Sequence, residues 1–323
     1  MRALVTGGAG FIGSHLVDRL LERGDSVTVL DDLSTGRRDN LAHHVGQARF
    51  RAVYLSVLEP EIVDELVRDV DVVFHLAAAV GVKYIIENPL HSMRVNVRGT
   101  ENVLEAADRH GTKVMLFSTS EIYGKSQDVP FRENADRLLG PPTVHRWSYS
   151  TAKAVDEILG LGYHEERDLP VLIVRCFNTC GPRQRGRYGM VVPRFVEQAL
   201  HGGPITVYGD GTQTRCFGSV FDVVDAVLAL LDCDGAVGQI FNVGNNEEVS
   251  ILELARRVCD LTSSRAEVVL VPYDEAYEPG FEDMPRRVPD LSKIHTYVGY
   301  VPQRSLDDIL RSVIEYWKTH AGS

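Results

Sequence analysis

Short apolar runs alternate with segments of helical period through the first half of the chain. The runs that predict strands are residues 3–5, 26–30, 49–53, 71–75, 113–117 and 171–175. Between them, helical periodicity covers residues 14–21, 60–68, 89–110 and 147–167. Strands that alternate with helices in this way indicate a parallel sheet with helices on both faces. We therefore predict an α/β, Rossmann-like, doubly wound fold.

The second half of the chain is less regular and richer in glycine and proline. We expect it to form a smaller C-terminal α/β domain that binds the substrate. One apolar stretch, residues 239–243, is expected to return to the sheet as a strand. The last helix, residues 306–317, is amphipathic and should pack on the body of the protein.

The first strand is followed by a glycine-rich turn and a helix. Gly7, Gly10 and Gly13 are spaced as in a dinucleotide-binding turn. Such glycines allow a tight turn, close approach of the backbone to a pyrophosphate, and close packing of the helix. Gly24 should end that helix, and the second strand then delivers Asp31. An acidic side chain there bonds the adenosine ribose and repels a 2′-phosphate, so NAD is predicted over NADP.

The position of the glycine motif indicates which part of the chain forms the cofactor domain. We predict an NAD-binding domain over residues 1–175, with a return segment near 215–258, and a substrate domain over 176–214 and 259–323. Because the carboxyl ends of parallel strands share one edge of a sheet, the polar residues that follow the strands should line one crevice. These residues are Asp31, residues 75–77, residues 118–120 and Asn178.

Composition narrows the choice of partners. A net charge of -11 argues against nucleic acid or an anionic membrane surface as partner. No apolar run reaches membrane-spanning length, and Met1 leads directly into the first strand, so no targeting segment is expected. The five cysteines are odd in number and lack paired CxxC spacing. They predict reduced thiols in a cytoplasmic protein, with no metal site.

Tyr149 and Lys153 stand four residues apart in a predicted helix, and Thr119 lies upstream. A spacing of four places the phenol and the ammonium on one face, one turn apart. A free phenol, with a pKa of about 10, is a poor base, but a nearby positive charge favours the phenolate. The pair thus predicts a general base for a sugar hydroxyl. A surface tyrosine beside a surface lysine is the alternative for any isolated pair of this kind.

With these motifs in place, the chain resembles the extended short-chain dehydrogenase/reductase superfamily, and within it the nucleotide-sugar epimerases, dehydratases and decarboxylases. The resemblance covers essentially the whole chain. Its further motifs are residues 75–78, 96–100, 177–184, 208–215 and 286–293.

For the cofactor, the resemblance implies that NAD is held by the glycine turn and by the segment after the fourth strand. The implied cofactor-binding residues are Gly7, Gly10, Phe11, Ile12, Gly13, Asp31, Leu76, Ala77, Tyr149 and Lys153. Lys153 would bind the nicotinamide ribose while lowering the pKa of Tyr149. Residues 53–56, Val-Tyr-Leu-Ser, replace a Gly-Asp pair that usually meets adenine in the family.

For the substrate, the resemblance implies that Thr119 bonds the C4 hydroxyl and that Ser120 and Glu121 act near C5. The catalytic set is Thr119, Ser120, Glu121, Tyr149, Lys153 and Arg287. Arginine suits a diphosphate because its planar fork donates two hydrogen bonds. The substrate-binding set is Lys83, Tyr84, Asn178, Val207, Tyr208, Arg215 and Arg287. Arg287 serves either the carboxylate or the phosphate.

The triplet Thr119-Ser120-Glu121 resembles that of UDP-glucuronate decarboxylases and also that of GDP-mannose 4,6-dehydratases. The remaining motifs favour a decarboxylase that yields UDP-xylose or the 4-keto pentose. A UDP- or dTDP-hexose 4-epimerase, a 4,6-dehydratase, and a non-catalytic NAD-binding protein are the alternatives. Relatives commonly pair through helices corresponding to residues 89–110 and 147–167, so a homodimer is expected. Leu104, Ala107, Ile158 and Leu161 are its candidate contacts.

Overall fold

The computed structural model describes residues 1–186, 190–276, 284 and 286–320. Its strands follow the apolar runs of the sequence closely. They are β1 (Arg2–Thr6), β2 (Ser26–Leu30), β3 (Phe50–Val53), β4 (Val72–His75), β5 (Lys113–Thr119), β6 (Val171–Cys176), β7 (Thr179–Cys180), β8 (Ile205–Tyr208), β9 (Thr214–Cys216), β10 (Gly218–Ser219), β11 (Ile240–Val243), β12 (Glu248–Ser250) and β13 (Val268–Val271).

Helices occupy most of the segments between the strands. They are α1 (Phe11–Arg23), α2 (Pro60–Arg68), α3 (Val82–Glu87), α4 (Pro89–Met93), α5 (Gly99–His110), α6 (Ser148–Arg167), α7 (Val191–Leu200), α8 (Val220–Leu231), α9 (Ile251–Thr262), α10 (Tyr273–Ala276), α11 (Ser292–Val298) and α12 (Leu306–His320). A π-helical segment, Arg94–Arg98, joins α4 to α5, and 3-10 turns at Ser120–Tyr123 and His145–Trp147 flank the cleft described below. Gly24, in the left-handed region with φ 96°, ends α1 as predicted.

Seven of the described strands form one parallel sheet in the order β11-β6-β5-β4-β1-β2-β3. The chain winds outward from β1 in both directions, so the order reverses between β1 and β4. In sheets of this type, ligands bind beyond the carboxyl ends of the strands at such a reversal. The predicted fold class is confirmed, and residues 239–243 do return to the sheet, as β11 beside β6.

Alternation along the strands builds two cores, one on each face of the sheet. In β1, Ala3 and Val5 pack in the core beneath α1 and α8, whereas Leu4 packs in the core beneath α2 and α5. Successive side chains of a strand point to opposite faces, so an all-apolar strand predicts burial on both. The apolar run of β1 by itself therefore indicates a sheet that is covered on both faces.

A third core lies outside the central sheet. It is built mainly by α7, α9 and α12, with Phe195, Leu254 and Leu310 fully buried. The parallel pair β8 and β13 and the antiparallel pair β9 and β12 border this region. The exact domain limits remain a prediction. None of the described helices is long and apolar enough to cross a membrane.

Candidate active site

A cleft of about 490 Å³ opens at the carboxyl ends of the central strands, where the strand order reverses. The glycine turn forms one wall. Gly7 has φ 69°, and a Cβ there would lie 2.7 Å from the Ala77 amide nitrogen. A Cβ on Gly13 would meet the Gly7 carbonyl oxygen at 2.2 Å. Both positions exclude any side chain, so the turn and α1 pack as tightly as the sequence predicts.

Gly10 differs from its two neighbours in the motif. A Cβ on Gly10 would approach only the Gly7 carbonyl oxygen, at 3.1 Å, and would otherwise point into the cleft. The turn thus leaves a bare backbone surface at the N-terminus of α1, where an anionic group meets the positive end of the helix. Phe11 and Ile12 also line the cleft. This cradle fits the pyrophosphate of a dinucleotide.

Asp31 stands at the end of β2 and lines the same cleft. Its carboxylate accepts hydrogen bonds from the backbone amides of Ala9 and Leu33, at 2.9 and 2.8 Å. These bonds fix its orientation, although burial raises the pKa of the group. Leu76 and Ala77, after β4, line the same cleft, and their contacts with the ribose and nicotinamide stay a prediction.

The segment without the usual Gly-Asp pair also borders this end of the cleft. Leu55 and Val57 line it. Tyr54 instead packs its ring under the Arg38 guanidinium, 4.4 Å from the ring centroid. An adenine at this end would therefore meet an apolar surface rather than a carboxylate.

Thr119, Tyr149 and Lys153 meet deeper in the cleft, as predicted. Thr119 ends β5 and its side chain hydrogen-bonds the Tyr149 phenol. Lys153 is buried one turn along α6. Its ammonium lies 2.8 Å from the carboxylate of Asp156, on the side of Lys153 away from Tyr149 along the helix.

The ionic partner of Lys153 corrects one expectation. The pKa of Tyr149 is raised above its ordinary value, first by burial and then by the negative charges of Glu121 and Asp156. Lys153 is paired with Asp156, and the lowered pKa of Tyr149 that the sequence predicts is not seen in this state.

Glu121 is the centre of an ionic cluster in the cleft wall. Its carboxylate lies 2.5 Å from Arg146 and 2.9 Å from Arg287. Arg215 adds further positive charge. These cations outweigh the effect of burial and lower the pKa of Glu121 to about 2. The carboxylate is therefore ionised at any physiological pH. Ser120 is buried beside it and also lines the cleft.

Four of the predicted substrate residues also line the cleft. They are Asn178, Tyr208, Arg215 and Arg287, the last of which is paired with Glu121. Arg287 donates to the side-chain oxygen of Asn178 at 3.3 Å, and Asn178 donates to the Cys216 carbonyl oxygen at 3.0 Å. The Tyr208 ring stacks under the Arg194 guanidinium, 3.9 Å from the ring centroid. This wall presents cations and one aromatic face.

Two predicted substrate residues are placed differently, and the side chain of a third is not described. Val207 is fully buried in the third core, because alternation along β8 turns it away from the cleft when Tyr208 faces it. Tyr84 packs its ring edge-on against His91 and is not among the residues lining the cleft in the described part of the chain. The side chain of Lys83 lies outside the described residues.

Two residues of the site were missed by reasoning from sequence. Arg146 stands three residues before Tyr149, in the 3-10 turn His145–Trp147, so its cation could have been noticed from spacing alone. Asp156 carries a weaker signal, a carboxylate three residues after Lys153 on the same helix. Both are buried and both contact residues that were predicted.

The cysteines and one pair of histidines are side chains of metal-ligand type outside the catalytic residues. All five cysteines are free thiols, and burial raises the pKa of Cys176 to about 12. Nitrogens of His43 and His44 meet one Asp18 oxygen at 3.0 and 2.7 Å. Arg183 pairs with the other Asp18 oxygen at 2.8 Å. This group is satisfied internally, and Arg183 joins it to the rim of the cleft.

Known proteins of similar sequence cover nearly the whole chain. A decarboxylase of Bacillus cytotoxicus, named UDP-N-acetyl-alpha-D-glucosaminuronate decarboxylase, is 42% identical over 98% of this chain and 98% of its own length. UDP-glucuronic acid decarboxylase 2 of Arabidopsis thaliana is 40% identical over 95% of this chain, which spans 66% of the plant protein.

The fold is also matched by solved structures. The UDP-glucuronic acid 4-epimerase of Bacillus cereus, in complex with UDP-glucuronic acid and NAD, is 29% identical with a TM-score of 0.89, over 99% of both chains. The family model described as GDP-mannose 4,6 dehydratase matches residues 4–313. The chain therefore belongs to the GDP-mannose 4,6 dehydratase family of extended short-chain dehydrogenase/reductases.

Proposed function

We propose that the protein is an NAD-dependent decarboxylase of UDP-glucuronate, acting through oxidation at C4 of the sugar. The observation that carries the proposal is the state of Glu121, which is held ionised between Arg146 and Arg287. The names of its full-length bacterial relative and its plant relative support decarboxylation of a nucleotide-linked uronic acid.

The cleft fits NAD. The bare backbone at Gly10 would receive the pyrophosphate, and the Asp31 carboxylate would accept bonds from the adenosine ribose. The similar epimerase structure contains NAD. When bound, NAD⁺ supplies the acceptor for the hydride that leaves C4. Leu76 and Ala77 would flank its nicotinamide end.

The reacting hydroxyl would lie between Thr119 and Tyr149. Thr119 orients the oxygen, and Tyr149 removes its proton as the hydride leaves, which gives a 4-keto sugar. The ketone lies β to the C6 carboxylate. The bond between C5 and C6 can then break, with its electron pair delocalised onto the C4 oxygen and CO2 released. Water would protonate C5, and Tyr149 would give its proton back to the C4 oxygen as C4 is reduced, which completes UDP-xylose; earlier release gives the 4-keto pentose.

The charge state of Glu121 excludes one role for it. A 4,6-dehydratase must protonate the hydroxyl that leaves as water, and Glu121, whose pKa is lowered to about 2, carries no proton to give at neutral pH, so dehydration would need a different acid. Loss of CO2 needs no acid at the leaving group. The ionised Glu121 and buried Ser120 instead orient the C5 substituent and control its protonation.

The cationic wall would hold the nucleotide diphosphate. Arg215 supplies charge, Tyr208 offers an aromatic face to the base, and Asn178 bridges toward Arg287. Arg287 itself is paired with Glu121, which places it at the sugar end of this wall. We therefore assign Arg287 to the region of the substrate carboxylate, with Arg215 on the diphosphate.

A second function is favoured by one observation. The similar structure in complex with UDP-glucuronic acid and NAD is a 4-epimerase, which shares the first oxidation and retains the carboxylate. An epimerase would return hydride to the other face of an intact 4-keto uronic acid. The acetamido sugar in the name of the bacterial relative adds a second candidate substrate for decarboxylation.

One assay separates these possibilities. Purified protein with NAD⁺ is incubated in parallel with UDP-glucuronate, UDP-N-acetylglucosaminuronate, UDP-glucose and dTDP-glucose, and products are followed by mass spectrometry and trapped CO2. Loss of CO2 from UDP-glucuronate is expected. Loss of water from a hexose would identify a dehydratase, and an unchanged mass with inverted C4 would identify an epimerase; either result overturns the proposal.

The Tyr149→Phe variant is the matched control for that assay. It should bind NAD⁺ like the parent and lose about 10³-fold or more in the first oxidation, because the general base is removed. Stopped-flow absorbance of NADH reports this step before any carbon is lost. Undiminished NADH formation in the variant would contradict the role given to Tyr149.

A cytoplasmic homodimer is the proposed state of the protein. Ile158 on α6 is 61% exposed, a large apolar side chain on the expected pairing surface. Leu104 and Ala107, two of the contacts expected from sequence, are fully buried in the core of one chain, so they are not available to a partner. Analytical ultracentrifugation of the purified protein should give twice the mass of one chain.

A further inference from the structure

Lys153 has two possible partners on its own helix. Tyr149 lies one turn toward the N-terminus of α6, and Asp156 lies nearly one turn toward the C-terminus. Side chains on a helix lean toward its N-terminus, so a lysine without a partner would extend toward Tyr149. Instead, its ammonium lies 2.8 Å from the Asp156 carboxylate, with the two side chains 4% and 3% exposed. The ion pair draws Lys153 away from the phenol.

The other titratable groups around Lys153 carry no free negative charge. His75, on β4, bonds the hydroxyls of Thr6 and Thr100, and burial lowers its pKa to about 3, so it is neutral. Cys176, at the end of β6, is a neutral thiol because burial raises its pKa to about 12. The charge of Lys153 lowers the pKa of both groups, which adds to the effect of burial on His75 and opposes it on Cys176.

Two other acidic side chains near Tyr149 and Lys153 are already paired with arginines. Glu157, the next residue on α6, receives both arms of the Arg175 fork at 2.9 and 2.7 Å. Glu121, which faces Tyr149 from the turn after β5, is held by two arginines. Asp156 is thus the carboxylate that offers its charge to Lys153, while its own negative charge also acts on Tyr149.

We propose that Asp156 is a positioning residue that takes up the charge of Lys153 and so sets the base strength of Tyr149. The inference rests on the proposed role of Tyr149 as base. While Lys153 stays on Asp156, the phenol keeps its proton. Movement of the ammonium toward the ribose hydroxyls of a bound dinucleotide would bring its charge back beside Tyr149. Asp156 would thereby restrict proton removal to the cofactor-bound state.

The first test titrates the phenol directly. Phenolate absorbance is followed against pH in the parent and in Asp156→Asn, with and without NAD⁺, and the matching Tyr149→Phe protein is subtracted from each. The asparagine variant should ionise Tyr149 about one pH unit lower, or ~10-fold more at a given pH, because one negative charge is lost and one positive charge is released. NAD⁺ should lower the midpoint in the parent and change it less in the variant.

Two controls accompany this titration. Asp156→Glu retains the charge and should titrate within a few tenths of a pH unit of the parent. Glu165→Gln removes a charge from an exposed position on the same helix and should leave the midpoint unchanged. A well-folded Asp156→Asn protein that titrates like the parent would overturn the proposal.

A second variant tests the proposal in case Asp156→Asn does not fold, because that substitution leaves a buried lysine without its partner. The double variant Lys153→Met with Asp156→Asn removes both charges. It should fold and should show no fall in the Tyr149 midpoint comparable to that of Asp156→Asn, because no ammonium is released. If the double variant shows the full fall of about one unit, Lys153 is not the group through which Asp156 acts, and the proposal is wrong.

The kinetic readout uses whichever nucleotide sugar the product assay identifies. The acidic limb of the pH profile for NADH formation should move about one unit lower in Asp156→Asn and stay in place in Asp156→Glu. The phenolate titration needs no sugar, so it stands even if the substrate proves to be a different one. A confirmed decarboxylase with an unmoved phenolate midpoint would reject only the inference about Asp156.

Discussion

Two buried ionic clusters lie close together in this protein and differ in what they face. One joins Glu121 to Arg146 and Arg287 and lines the cleft. The other joins Glu157 to Arg175 behind the cleft, between α6 and β6. Each combines an acid with arginine at distances below 3 Å, so charge and burial alone do not distinguish them.

The two clusters differ in whether their side chains bond only to other protein groups or also face the cleft. The Arg175 fork meets both oxygens of Glu157, and the guanidinium also donates to the Tyr123 phenol, which donates to Asn242 on β11. This network ties together α6, β6, β11 and the 3-10 turn Ser120–Tyr123 within the protein. The Glu121 cluster instead presents its two guanidinium groups along the wall where an anionic sugar would lie. A closed network stabilises the fold, whereas an open one is available to a ligand.

The largest effect on stability is expected from removing the cation of the closed network. Arg175→Met should lower the free energy of unfolding by about 3–5 kcal/mol, because it leaves Glu157 buried without its cation. Chemical denaturation measures this loss. Turnover per folded molecule should stay within about threefold of the parent, since Arg175 is not among the residues that line the cleft in the described structure.

Arg68→Met provides the matched control for that change. Arg68 is 58% exposed and pairs with Asp64 one turn away, so its loss should cost less than about 1 kcal/mol. Equal costs for Arg68 and Arg175 would contradict the structural role of the closed network.

Glu121→Gln is expected to affect turnover more than stability, the reverse of Arg175→Met. Turnover should fall about 100-fold, or ~2.7 kcal/mol in the barrier, because the two arginines lose the anion that orients them at the sugar. Unfolding should become easier by less than about 2 kcal/mol, since cleft water can reach the cations. Steady-state kinetics and denaturation on the same preparation give both numbers. Glu253→Gln, which removes an exposed helical partner of Arg257, should change neither.

The sequence predicted the positions of the main site residues well because local patterns determine them. Gly7, Gly13 and Asp31 are set by a turn and the strand beside it, and the periodicity of those segments is visible without any tertiary contact. Tyr149 and Thr119 also follow from strand and helix positions. Residues placed by one element and its neighbours in sequence were therefore found.

The charge state of the site could not be predicted in the same way. Glu121 is ionised because Arg287, far along the chain, comes within 2.9 Å, and no spacing rule joins these two residues. Lys153 has two possible partners on α6, and its spacing in the sequence does not show that the ammonium pairs with Asp156. Val207 was misassigned because a single strand position decides between core and cleft.

The smallest effect is a difference in acid sensitivity between the parent and Glu121→Gln. The pKa of Glu121 is lowered from 4.5 to about 2 in the folded protein, so its contribution to stability is full above about pH 5 and is lost as pH falls toward 2. Between pH 6 and pH 3.5 the parent should lose about 1 kcal/mol more than the glutamine variant, which has no proton to bind there. Urea denaturation at the two pH values measures the difference. Parallel losses in the two proteins would mean that the open cluster does not hold Glu121 ionised, so that Glu121 would itself be available as an acid for a leaving hydroxyl.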